Sequence, residues 1–126
     1  LNFGHTFAHA IEVKNNYSKN ITHGEAVLSG IILETRLSVI KKICKIEFLK
    51  DIEKIYAENY LTNTFKKFSN TKSINSLLPF LKNDKKNNDE KINFILLKRI
   101  GRTTKPNTQK ISLKNLKKYS KVIARY

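Results

Sequence analysis

A chain of 126 residues with 40% hydrophobic content suffices for one domain with a modest core. No run approaches the roughly 20 consecutive apolar residues that cross a bilayer. Its 25 Lys+Arg against 10 Asp+Glu give a formal charge of +15, and its single cysteine excludes an internal disulfide and fits a reducing, cytoplasmic setting.

The charge invites a nucleic-acid reading. Lysine predominates over arginine, however, and recurs with asparagine in KNNYSKN, KNDKKNN and KNLKK. Nucleic-acid sites combine clustered basic residues with stacking aromatics or base-reading arginines, and no such cluster occurs, so solvated lysines on scattered faces are the better reading. Cys44, in VIKKICKIEFL, reads as a small buried hydrophobe.

In chain order, Leu1 to Val13 predicts a helix. Phe3, Phe7, Ala10 and Ile11 form its apolar stripe, and Asn2, His5, His9 and Glu12 a polar stripe beside it. No cap precedes it and the chain contains no Met, so the helix is expected to be in progress at residue 1 and the chain to be a fragment. Lys14 to Ile21 is polar and reads as a loop. Thr22-His23-Gly24-Glu25 is an S/T-x-x-E capping box, opening a long helix to about Ile43, apolar enough at its start to be a buried central element. Helices are expected over about Glu47–Tyr60 and Ser73–Lys82, with a kink or boundary at Pro79. Asn83–Glu90 reads as a charged loop, Ile92–Ile100 as a short strand or hairpin ending at Gly101, Lys105–Lys110 as a loop, and Ser112–Ala124 as an amphipathic helix. The fold class is mainly α over a single domain, 1–126.

All three histidines fall within the first 23 residues. His5 and His9 stand four apart on one face, and His23 opens the next long helix. Imidazoles from adjacent segments can converge on one cation; spacing alone leaves solvated histidines equally open.

LNFGHTFAHAIE followed by HGEAV resembles the 3-dehydroquinate synthase signature, LN-x-GHT-x-GHA-x-E and then HGEAV-x-x-G. Asn2, Gly4, His5, Thr6, His9, Ala10 and Glu12 stand in place, as do His23, Gly24, Glu25, Ala26, Val27 and Gly30. NDKK at 83–86 and INFILLKRIG at 92–101 resemble the family's DKK segment and the apolar strand after it. The resemblance implies the helical C-terminal domain of that enzyme, with His5 and His23 as two of three ligands to a divalent metal, zinc or alternatively cobalt. It implies that His9 touches substrate and assists proton transfer, that Asn2 hydrogen-bonds substrate, and that Lys85 or Lys86 holds an anionic group of it. Glu12 and Glu25 would support or cap, with Glu25 also able to orient His23.

The implied reaction converts 3-deoxy-D-arabino-heptulosonate 7-phosphate to 3-dehydroquinate and phosphate, in the shikimate pathway, with NAD. The third ligand, a substrate-binding arginine and the NAD-binding domain would lie N-terminal to this chain. A homodimer is expected for the full-length enzyme and no turnover for this chain alone. The sequence departs from the pattern at Ala8, where the family has glycine. The alternatives are a sister sugar phosphate cyclase of the 2-deoxy-scyllo-inosose or epi-valiolone synthase type, or a non-catalytic basic helical binding module.

Overall fold

The computed structural model describes residues 3–16, 20–81, 83–84 (main chain only) and 91–126. Among these residues six helices dominate: α1 (His5–Lys14), α2 (His23–Ile40), α3 (Ile46–Glu58), α4 (Thr62–Lys66), α5 (Thr71–Leu77) and α6 (Leu113–Ile123). Five short strands accompany them: β1 (Asn83–Asp84), β2 (Lys91–Phe94), β3 (Leu97–Arg99), β4 (Arg102–Thr103) and β5 (Gln109–Ser112). β2 lies between β1 and β5, antiparallel to both, and β3 and β4 form a separate antiparallel hairpin. Among the described residues no helix is long and apolar enough to cross a membrane.

The fold is built around α2. Its Leu33 and Leu37 pack into a large cluster with Phe7, Ile11, Ile74, Leu77, Phe94 and Leu116, while its Ile32 joins a second cluster with Cys44, Ile52, Tyr56, Phe65 and Leu97. With apolar groups on both sides, every residue from Ile32 to Ser38 is buried. Its polar side chains are therefore tied to neighbours. Ser38 donates to the Leu97 carbonyl and Ser29 to the Thr64 carbonyl at 3.1 Å. Arg36 donates to the Ile123 carbonyl at 3.3 Å, lies 3.5 Å from Glu53, and stacks over Phe65. Most buried polar groups are satisfied in this way; the Arg36 Nε has no hydrogen-bond partner among the described residues.

Thr22 caps α2 as the sequence predicts. Its Oγ1 accepts the Glu25 N–H at 3.1 Å, and the Glu25 carboxylate accepts the Thr22 N–H at 3.4 Å. Thr22→Ala should cost about 1 kcal/mol, the usual value of such a cap, measured as a lower urea midpoint at unchanged slope. An unchanged midpoint would mean that the tertiary contacts of α2 alone fix its start.

Several expected boundaries move. The first helix begins at His5, not at residue 1, because Gly4 takes φ +84°, a left-handed conformation that no helix continues through. α2 ends at Ile40 rather than near Ile43. Lys42 adopts φ +60°, its N–H bonds the Val39 carbonyl, and the Ile43 N–H bonds the Ser38 carbonyl, a Schellman ending without its usual glycine. α3 stops at Glu58 in the same way, with Tyr60 at φ +58°. The helix expected through Pro79 becomes α5 and then a 3-10 turn, Leu78–Phe80. The strand or hairpin expected over 92–100 is two strands, β2 and β3, in separate sheets, while β1 lies in the expected Asn83–Glu90 loop and β5 begins in the expected Lys105–Lys110 loop.

Candidate metal and substrate site

α1 and α2 cross at main-chain contact. A Cβ placed on Gly30 would lie 2.0 Å from the Gly4 carbonyl oxygen and 3.0 Å from the Ala8 nitrogen. Gly4 is constrained twice, by its left-handed φ and by Ile31, whose Cγ1 would lie 2.7 Å from an added Cβ. Ala8 is buried within the larger apolar cluster. The methyl by which it departs from the family pattern thus goes to the core.

This crossing brings His23, at the start of α2, over the polar face of α1. The His5 and His23 ring centres are 6.2 Å apart, with planes tilted by 56°. Each ring is held through Nδ1: His5 against the Phe3 carbonyl at 3.2 Å, and His23 against the Glu12 carboxylate at 3.1 Å. A carbonyl only accepts, so His5 Nδ1 carries the proton; toward a carboxylate the same holds for His23. In the neutral form of each ring Nε2 then keeps its lone pair. Glu12, not Glu25, orients His23, since Glu25 is engaged in the cap with Thr22.

This donor set suits a cation. Metal-ligating histidines characteristically present one nitrogen to the metal and the other to a carbonyl or carboxylate. Two imidazoles sharing an ion through bonds of about 2.0–2.1 Å have centres roughly 4.5–6.5 Å apart, depending on the angle at the ion. Among the described residues no group of three His, Cys, Asp or Glu is arranged to hold a metal. His9 follows His5 by one turn and is half-buried. Asn2, Lys85 and Lys86 lie outside the described residues.

Glu34 is not singled out by any sequence motif. It is fully buried on α2, and its two oxygens accept the N–H groups of Gly4 and Phe7, each at 3.2 Å. It thereby caps α1, whose own N-cap residue has no side chain to do so. The available signal was one carboxylate within the apolar run AVLSGIILETRL. Burial pushes its pKa up to about 8 from 4.5, against the pull of the two N–H donors. The folded chain therefore holds a proton that the unfolded chain releases, and stability should fall as pH rises from about 4.5 to about 8. Chemical denaturation across that range should show the fall in the wild type and a flatter profile in Glu34→Gln, which mimics the neutral acid. Parallel profiles would mean that Glu34 does not titrate there.

Residues 1–87 match the 3-dehydroquinate synthase C-terminal family. The chain belongs to that family. The 3-dehydroquinate synthase of Pelagibacter ubique is 43% identical over 101 residues, which cover 80% of this chain and 27% of that protein. The enzyme of Endomicrobium trichonymphae is 41% identical over 102 residues, 81% of this chain and 27% of its own length. The chain therefore spans about a quarter of these 3-dehydroquinate synthases. Among solved structures, a 2-deoxy-scyllo-inosose synthase complexed with carbaglucose-6-phosphate, NAD+ and Co2+ shares the fold at TM-score 0.63 and 22% identity, over 96% of this chain and 32% of that one.

Proposed function

We propose that this chain is the metal- and substrate-binding portion of a 3-dehydroquinate synthase, acting on 3-deoxy-D-arabino-heptulosonate 7-phosphate with NAD. The observation that carries this reading is the His5–His23 pair, with both Nδ1 atoms engaged and both Nε2 atoms free, in a chain of this family.

His5 and His23 would hold a divalent cation, with a carboxylate from an N-terminal domain as the third ligand. The donor set accepts zinc and also cobalt; the related cyclase structure contains Co2+. The bound cation would supply Lewis-acid polarisation of substrate oxygens, and NAD a transient oxidation that makes the neighbouring C–H acidic enough for phosphate to leave. His9, one turn from His5, would exchange a proton with the substrate, a task suited to an imidazole near neutral pH. Asn2 would hydrogen-bond a substrate hydroxyl. Lys85 or Lys86 would pair with its carboxylate or phosphate. The sister-cyclase reading is weaker: the similarity to 2-deoxy-scyllo-inosose synthase stands at 22% identity, against 43% for the Pelagibacter ubique enzyme.

The test joins this chain to the N-terminal part of the Pelagibacter ubique enzyme and measures phosphate release with NAD and zinc or cobalt. Turnover of the heptulosonate phosphate is expected. A folded, metal-loaded chimera that releases phosphate from glucose 6-phosphate instead would assign the chain to the sister cyclases.

A further inference from the structure

The two histidines differ in how a carboxyl group reaches them. His23 meets Glu12 directly, at 3.1 Å. Among the described residues His5 meets no carboxylate; its Nδ1 donates to the Phe3 carbonyl at 3.2 Å. That carbonyl belongs to the peptide whose N–H is Gly4's, and this N–H donates to Glu34 Oε1 at 3.2 Å. One rigid, planar amide is thus gripped at both ends, by the buried carboxyl at its nitrogen and by the imidazole at its oxygen. The second carboxyl oxygen takes the Phe7 N–H at 3.2 Å, which fixes the carboxyl plane and with it the tilt of the Phe3–Gly4 peptide.

Resting on the reading of His5 as a cation ligand, we propose that Glu34 is the positioning residue for His5, acting through the Phe3–Gly4 peptide. A hydrogen bond accepted from an amide N–H polarises that amide and makes its carbonyl a stronger acceptor. The Phe3 oxygen then holds the Nδ1–H form of His5 and leaves Nε2 facing the cation. A local serine or aspartate would be the cheaper cap for α1, but the left-handed φ and the closeness of Ile31 keep position 4 a glycine. Burying a carboxyl on a central helix is the costlier arrangement, and it brings with it control of the peptide beside His5. His23 receives the same service from Glu12 without an intermediary, so the two supports act on separate rings.

The two rings allow one to serve as a control for the other. Long-range 1H–15N spectra of the 15N-labelled chain read which nitrogen of each neutral imidazole carries the proton. An unconstrained neutral histidine favours the Nε2–H form, so a predominantly Nδ1–H form of His5 in the wild type is the expected signature. Glu34→Met, which fills the same space and accepts neither N–H, should move His5 toward Nε2–H while His23 stays unchanged. It should also weaken Co2+ binding in the metal-loaded chimera by about tenfold or more, the usual effect of losing an outer-shell partner. Glu34→Gln, which keeps one acceptor, should retain more of the Nδ1–H form than Glu34→Met does. An unchanged His5 in a folded Glu34→Met chain overturns the proposal. Should that variant not fold, the wild type decides: a predominantly Nε2–H His5 overturns the proposal equally. Adding Co2+ to the metal-free chimera, which supplies the third ligand, tests the underlying reading separately. Rings that hold the Nδ1–H form yet ignore the cation would remove the metal site while leaving the control of His5 by Glu34 in place.

Discussion

Gly30→Ala should be among the most damaging single-methyl changes in the chain. The added Cβ would lie 2.0 Å from the Gly4 carbonyl oxygen and 3.0 Å from the Ala8 nitrogen. Both are main-chain atoms of α1, so no side chain can swing aside, and the helices must separate. Overpacking a core costs about 1–3 kcal/mol, occasionally more, and this clash belongs at or above the upper end. For a chain with net stability on the order of 5–15 kcal/mol, the loss should lower Tm by roughly 10–20 °C. Separating the helices would also pull the Gly4 and Phe7 N–H groups from Glu34 and widen the His5–His23 distance. Thermal unfolding checks the first consequence and metal affinity the second. A stable Gly30→Ala chain with unchanged Tm would show that α1 and α2 do not cross as described.

The sequence was most legible where a periodic pattern coincided with a chemical punctuation mark. Thr22 and Glu25 fixed the start of α2, and Ser112 heralded α6, whose first turn it caps through the Asn115 N–H. Helix ends were harder to place. Asn16, Lys42 and Tyr60 all take the left-handed position usually held by glycine, so the sequence carried no glycine to mark them. α4 is five residues long, too short for a periodic signal. β5 pairs with β2 through main-chain bonds, and its sequence, QKIS, has one buried apolar residue. In the site, spacing placed His5 and His23 on neighbouring helices. That Glu12 rather than Glu25 meets His23, and that Glu34 reaches across to α1, depends on the crossing at Gly30, which no local pattern encodes.

The second large effect separates the histidines. In the chimera, His5→Ala and His23→Ala should each lose the metal and abolish phosphate release, because a three-ligand site that loses one imidazole loses affinity and geometry together. His9→Ala should keep its metal and lose about 10²–10⁴-fold in rate, as removal of a proton-transferring group does. His5 and His9 share a helix face one turn apart, but only His5 has its ring paired with that of His23, 6.2 Å away. Metal content per chain of the purified variants, measured by elemental analysis, tests the central claim most directly. The account predicts a full complement in the wild type and His9→Ala and a marked loss in His5→Ala and His23→Ala. A His5→Ala protein that retains its metal while His9→Ala loses it would contradict the assignment.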